Sequence, residues 1–294
     1  MKYAFYPGCS LDSTARDFDV STRAVCKALG IELVDIPDWN CCGSTPAHAS
    51  NASLSVALPV MNLQKAKATG CDGVLTACAS CYARLRTANH KVRTQPEERE
   101  RAERITEQPY AGEMPVRHIL DILFNELGRK AIRAKAVHGL QGLRVASYYG
   151  CLLSRPPEVV AFDNPEHPTC MDEVVGALGG APVDWPFKTE CCGASLSISN
   201  PKVVGRLGHR ILDMAQRAGA QCMAVACPLC QINLDLRQSD AAKAHGPLKD
   251  MPILYITQLL GIALGLPAGE LGLNALVVSP KALLEPVAAV AEGA

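Results

Sequence analysis

An adjacent cysteine pair, Cys41-Cys42-Gly43, most constrains what this chain can become, because every other strong signal is placed by its distance from it. Cys9 lies upstream with 31 residues between, and Cys78-Ala79-Ser80-Cys81 lies downstream with 35 residues between. The arrangement then recurs as Cys151, the pair Cys191-Cys192-Gly193, and Cys227-Pro228-Leu229-Cys230, at intervals of 39 and 34 residues. Ten of the fourteen cysteines fall into this doubled pattern, so the spacing survives a large change in the surrounding sequence.

A chain of 294 residues suits two domains of about 150 each. With 48% hydrophobic and 20% charged residues it has material for two cores and no disordered character. The 29 basic and 29 acidic residues cancel, so no overall field favours nucleic acid or an anionic membrane. Pro7-Gly8 interrupts the N-terminal apolar run before it reaches signal-peptide length. The longest apolar stretch, from Ile253 to Leu266, is broken by Gln258 and two glycines and is too short to span a bilayer. The expectation is a cytoplasmic protein without a membrane span. Thiols stay reduced there, so fourteen cysteines read as metal ligands or redox groups before disulfides.

Along the chain, short apolar runs alternate with helical periodicity. The pattern predicts a strand at 3–7, a helix at 13–29 ending at Gly30, a strand at 31–36, a helix at 52–69 kinked or delayed by Pro59, and a strand at 73–77. The charged run 93–108 reads as a solvated helix or loop, and 115–128 as an amphipathic helix closing the first half. The second half repeats the order: strand 143–149, helix 171–178, strand 181–185, helix 202–218, strand 221–226 and closing helix 252–265. Each ligand group follows a strand, as in a parallel sheet whose ligands bind at the carboxyl ends. The predicted architecture is α/β, with two tandem, pseudo-two-fold related domains, each a small parallel sheet flanked by helices. Their boundaries are read as 1–128 and 142–279, with a linker at 129–141 and a tail at 280–294.

A lone Cys-x-x-Cys serves zinc, dithiol exchange or an iron-sulfur cluster alike. Adjacent cysteines cannot easily both bind one tetrahedral ion, but they reach two different metal atoms. Five thiolates also exceed the four that a cubane cluster needs. The arithmetic favours a polynuclear iron-sulfur cluster that uses more than four protein ligands or leaves one thiol free. Zinc and dithiol chemistry stay open at this point.

Taken together, Cys9, Cys41-Cys42-Gly43 and Cys78/Cys81, repeated at Cys151, Cys191-Cys192-Gly193 and Cys227/Cys230, resemble the duplicated cysteine-rich CCG domain of the heterodisulfide reductase B-subunit family. Sulfur-oxidising bacterial relatives and the related subunits of thiol:fumarate reductase and glycolate oxidase share this domain. The resemblance runs from Tyr6 to about Gly265. It implies two non-cubane 4Fe-4S clusters, the first on Cys9, Cys41, Cys42, Cys78 and Cys81 and the second on Cys151, Cys191, Cys192, Cys227 and Cys230. No catalytic residue is implied beyond these ligands. It further implies reductive cleavage of a disulfide, free or carrier-bound, or the reverse thiol oxidation. The implied partners are two further polypeptides of such complexes: a small ferredoxin-like 4Fe-4S protein, the C-type subunit, and a flavin iron-sulfur protein, the A-type subunit. The competing readings are an electron-relay component of the thiol:fumarate reductase or glycolate oxidase type, and a zinc-binding interaction module.

Outside the ten, Cys26, Cys71, Cys170 and Cys222 read as core. Gly43 and Gly193 are expected to turn the backbone so that amides face sulfur, and Gly8 and Gly150 to let a cluster approach closely. His48 reads as a surface residue, since Ile198 takes its place in the second copy. Arg84, Arg86, Arg155 and Arg237 lie near ligand cysteines and are candidates for steering an anionic substrate.

Overall fold

Short segments form the strands, parallel pairing brings their ends to one edge, and β1, β3, β5 and β7 lead there into cysteine. The computed structural model describes residues 1–44, 46–160 and 162–289. In the first half β1 (Lys2–Phe5), β2 (Glu32–Asp35), β3 (Val74–Thr76) and β4 (Val116–His118) form a sheet in the order β2-β1-β3-β4. In the second, β5 (Arg144–Tyr148), β6 (Ala181–Pro182), β7 (Cys222–Val225) and β8 (Ile253–Tyr255) repeat it as β6-β5-β7-β8. Every pairing is parallel. The α/β duplication expected from sequence is thus observed, with matching strand order in the two halves.

Three differences are physical. The segments 115–128 and 252–265, read as helices throughout, begin with edge strands β4 and β8. Val116 and His118 are buried while Arg117 between them is half-exposed, and β4 takes register beside β3, with Val74 paired to Val116. Three residues of two-fold alternation abutting a helix look like one more helical turn, and sheet pairing decides the matter. Second, the Cys-x-x-Cys of the first half opens a helix, Ala79–Thr94, that periodicity did not reveal. Third, the stretch read as a linker contains the helix Gly128–Lys135. Helix Leu54–Ala68 runs through Pro59, and the charged run forms the solvated helix Pro96–Thr106, where Ala102 is buried. The tail contributes helix Lys281–Ala289, and residues 290–294 lie outside the described residues. No helix among the described residues is long and apolar enough to cross a membrane.

Each half completes the core of the other. Helix Arg16–Leu29 packs on helix Ile256–Ala263, where the Phe18 ring stacks on Tyr255 at 3.8 Å and 5°. Beside this stack the Ser21 and Thr257 hydroxyls meet at 2.8 Å. In the reciprocal position, helix Cys170–Ala177 packs on Ile119–Leu127. Tyr82 donates to the Val160 carbonyl at 3.3 Å, and Arg86 Nε to that of Val159 at 2.9 Å. Because Phe18 and Tyr255 are fully buried, removing the ring empties a cavity at the junction of the halves. Phe18→Ala is expected to destabilise the chain by about 3–5 kcal/mol, read as a lowered midpoint in urea unfolding.

Candidate metal centre

Parallel strands finish on one side of their sheet, and here they finish in thiols. β1 runs through Tyr6-Pro7 into Gly8-Cys9, β3 into Cys78, β5 into Gly150-Cys151 and β7 into Cys227. Cys78 and Cys227 are the N-caps of helices Ala79–Thr94 and Pro228–Asp235. Unpaired amides at a helix start favour negative charge, yet of these four thiols only Cys227 is held low, while neighbouring sulfurs and burial raise Cys78, Cys81 and Cys230.

In the first half four of the five cysteines gather around the Tyr6 phenol. Burial raises its pKa, and the charges on Cys81, Cys42, Cys41 and Cys9 all add to the shift. Cys42 and Cys81 Sγ are 3.5 Å apart, and both Cys42 and Cys78 raise the Cys81 thiol. The Tyr6 hydroxyl donates to the Asn40 carbonyl at 2.8 Å, which ties down the residue before the cysteine pair. Gly43 turns at φ 72°, and its N–H donates to Cys41 Sγ at 3.4 Å. Hydrogen bonds from Cys41 and then Cys81 bring Cys42 down to about 4, and the bond to Cys42 together with burial raises Cys41.

The second half repeats this construction. Tyr148 is raised by burial and by the charges on Cys230, Cys192, Cys151 and Cys191, and its hydroxyl donates to the Glu190 carbonyl at 2.6 Å. Cys192 and Cys230 Sγ are 3.4 Å apart, and the Gly193 N–H donates to Cys191 Sγ at 3.3 Å. The neighbouring Cys151 thiol brings Cys191 down to about 6. Bonds from Cys230 and then Cys78 hold Cys227 well below the ordinary thiol range.

That last influence crosses between the halves: Cys78 and Cys227 lie close enough that each shifts the proton affinity of the other. Below them lies His118, fully buried at the end of β4. Its Nε2 is 2.8 Å from the Ala77 carbonyl and 3.1 Å from that of Ala226, while Nδ1 accepts from Leu120 N at 3.1 Å. These neighbours assign the proton to Nε2 and leave no room for a second. Desolvation accordingly lowers the His118 pKa to about 4, against weaker opposing effects of the two carbonyls, Cys227 and Asp121.

Cys9, Cys41 and Cys191 are exposed and Cys151 is half-buried, whereas Cys42, Cys78, Cys81, Cys192, Cys227 and Cys230 are buried. All fourteen cysteines are free. Among the described residues no group of three or more His, Cys, Asp or Glu is drawn tightly enough to hold a single metal ion, and the sulfurs meet pairwise. The residues fit a thiolate-bound iron-sulfur group on three counts. The donors are all soft sulfur, they reach from buried floor to open rim, and the backbone is kept back from them. A Cβ on Gly8 would stand 2.7 Å from Cys81 Sγ, and one on Gly150 would stand 3.1 Å from Cys230 Sγ.

Other candidates sort by their contacts. Cys26, Cys71, Cys170 and Cys222 are buried in the core. Arg86 is committed to the Val159 carbonyl, Arg155 to Glu166 and Arg237 to the Ser197 carbonyl. Arg84 differs. One turn after Cys81, it donates to His48 Nδ1 at 2.6 Å and its charge helps to lower Cys42. Asn233 takes its place in the second copy, turned in at 3.2 Å to the Cys192 carbonyl, and Ile198 stands almost fully exposed where the first copy has His48. The sequence pattern did not single out Tyr6 and Tyr148, although both stand three residues before the first cysteine of their set. Nor did it single out His118, whose counterpart in the repeat is Tyr255.

Comparison with known proteins bears on the same residues. A family model described as a cysteine-rich domain, CCG, matches residues 3–86 and 145–235. The chain is 31% identical to the 8-methylmenaquinol:fumarate reductase membrane anchor subunit of Wolinella succinogenes, over 96% of this chain and 99% of that one. It is 30% identical to the B subunit of the ferredoxin/F(420)H(2)-dependent CoB-CoM heterodisulfide reductase of Methanosarcina acetivorans, over 93% of this chain and 92% of that one. A crystal structure of a hypothetical protein from Helicobacter pylori shares the fold, with a TM-score of 0.74 at 12% identity, and this chain spans 52% of its length.

Two outcomes follow from the geometry. Both glycines sit at positive φ, but Gly8→Ala adds the closer clash, so it should lower iron and acid-labile sulfide per chain more than Gly150→Ala does, in side-by-side analysis. His118 is neutral when folded and protonates near 6.5 when unfolded, so its stabilising contribution is complete above about 6.5 and is lost as pH falls towards about 4. Unfolding free energies from urea titrations across that window should fall for the wild type by on the order of 3 kcal/mol more than for His118→Gln, which does not titrate.

Proposed function

The chain belongs to the family of cysteine-rich CCG-domain iron-sulfur proteins that includes the B subunit of heterodisulfide reductase, and from that premise we propose that it is the catalytic component of a heterodisulfide-reductase-type complex. It would cleave a disulfide, or form one in reverse, between two non-cubane 4Fe-4S clusters. The carrying observation is that the strand ends before Cys78 and Cys227 meet, with the Ala77 and Ala226 carbonyls both on His118 Nε2, between two thiol sets whose outer members, Cys9, Cys41 and Cys191, reach the surface. In this reading Cys9, Cys41, Cys42, Cys78 and Cys81 hold one cluster, and Cys151, Cys191, Cys192, Cys227 and Cys230 the other. The halves correspond to domains 1–128 and 142–279, joined by 129–141 and working in the cytoplasm.

Breaking RS–SR′ consumes two electrons and leaves two thiolates, which take two protons from solvent. The bound iron-sulfur groups would supply the electrons one at a time and a Lewis-acidic iron for each sulfur. The chain's own residues do the rest. Buried Cys78, Cys81, Cys227 and Cys230, with Tyr6 and Tyr148 behind them, wall the inner side from water. At the first set Arg84, backed by His48, offers a cation to an acidic substrate arm, and at the second Asn233 and Ile198 offer none. The named relatives are subunits of reductase complexes, which supports partner polypeptides. We assign electron delivery to a small ferredoxin-like 4Fe-4S protein with a flavin iron-sulfur protein behind it.

A second reading, a relay without its own substrate site, is favoured by the 31% identity to a fumarate reductase anchor subunit over nearly its whole length. The anaerobically purified chain should carry about eight irons, and Cys42→Ala about half of that. Added to the reduced chain, a disulfide should produce a new paramagnetic signal if the site is catalytic. An unchanged spectrum selects the relay, and a colourless zinc protein defeats both. Arg84→Gln should raise KM roughly tenfold for an acidic disulfide and leave that for a neutral one in place.

A further inference from the structure

We infer that His118 is a positioning residue that fixes the separation and relative orientation of the two thiol sets. The inference rests on the reading that each set holds an iron-sulfur group.

A single hydrogen atom joins the two halves at this point. Nε2 of His118 lies 2.8 Å from the carbonyl of Ala77 and 3.1 Å from that of Ala226, so its one N–H is shared between them. Those carbonyls belong to the residues directly before Cys78 and Cys227, at the ends of β3 and β7. The shared donor therefore clamps together the two points from which the facing thiols project. The ring cannot turn away, because Leu120 N–H occupies Nδ1 at 3.1 Å and Tyr82 packs edge-on at 5.7 Å. It is fully buried, so no water substitutes for the donor, and losing it would leave two carbonyls without that bond.

The repeat provides the contrast. Tyr255 ends β8 as His118 ends β4, and the charges of Cys227 and Cys78 reach it too. Yet its hydroxyl stands 3.5 Å from Gln231 Oε1 within its own half, and its ring is spent on Phe18. The bridge is thus made by one residue of the pseudo-equivalent pair. A histidine that merely filled the core would have no need to reach carbonyls of both halves at the two ligand-bearing strand ends.

The test uses the full holo chain with His118→Gln, which places an N–H donor near Nε2, with His118→Asn, whose shorter amide does not reach it, and with His118→Leu. Iron per chain is measured first. With both centres reduced, pulsed paramagnetic spectroscopy then reads the interaction between them. The wild type and His118→Gln should show one narrow interaction frequency. His118→Leu and His118→Asn should keep their iron but lose that single frequency to a spread of values, with disulfide turnover down roughly ten- to a hundredfold at unchanged KM. If His118→Leu does not accumulate, the Gln and Asn variants alone decide the outcome. Full iron with an unchanged interaction in His118→Asn overturns the positioning role and leaves the proposed function standing. A wild-type chain without two interacting centres overturns both.

Discussion

Parallel strands impose a direction: all of their carboxyl ends lie on one edge, and whatever chemistry the following residue carries is delivered there together. In this chain the delivered group is a thiol from β1, β3, β5 and β7, and the cysteine pairs after β2 and β6 come in from the side. A sulfur set assembled in this way needs its loops held at the right height over the sheet. Tyr6 and Tyr148 do this from below by gripping the carbonyls of Asn40 and Glu190. The positive-φ turns at Gly43 and Gly193 do it from above by aiming an amide at sulfur.

The interlocked helices matter for the same reason. With helix Arg16–Leu29 seated on the second half and helix Cys170–Ala177 on the first, the two sheets share one hydrophobic core. Packing at crystal-like density transmits position from that core to the thiols. The two sulfur sets are therefore held by the whole interior and not by their loops alone.

How much of this was written in the sequence depends on the range over which each signal acts. The doubled cysteine spacing and the strand-to-thiol order are local, and the alternation of apolar runs with helical periodicity carried the α/β class. The edge strands β4 and β8 were hidden because three residues, alternating in β4 and wholly buried in β8, merge with the helix that follows. Tyr6 and Tyr148 could have been found, since both copies carry tyrosine at the same distance before cysteine. His118 could not, because its meaning lies in a carbonyl 108 positions away and its counterpart in the repeat is a different residue. Arg84 was visible only as one of four arginines, and the contacts of Arg86, Arg155 and Arg237 are what set it apart.

The unlike pair His118 and Tyr255 bears on why the two copies share a chain. An assembly of two identical polypeptides would bring duplicate imidazoles, or duplicate phenols, to the same crowded place beside the axis, and one proton donor suffices for both carbonyls there. Joining the copies covalently allows each to mutate alone, so that one contributes the clasp and the other the aromatic wedge. The same licence gives one rim the cation of Arg84 and the other the bare side chain of Ile198, a difference that on the proposed function would tell the two ends of a lopsided guest apart.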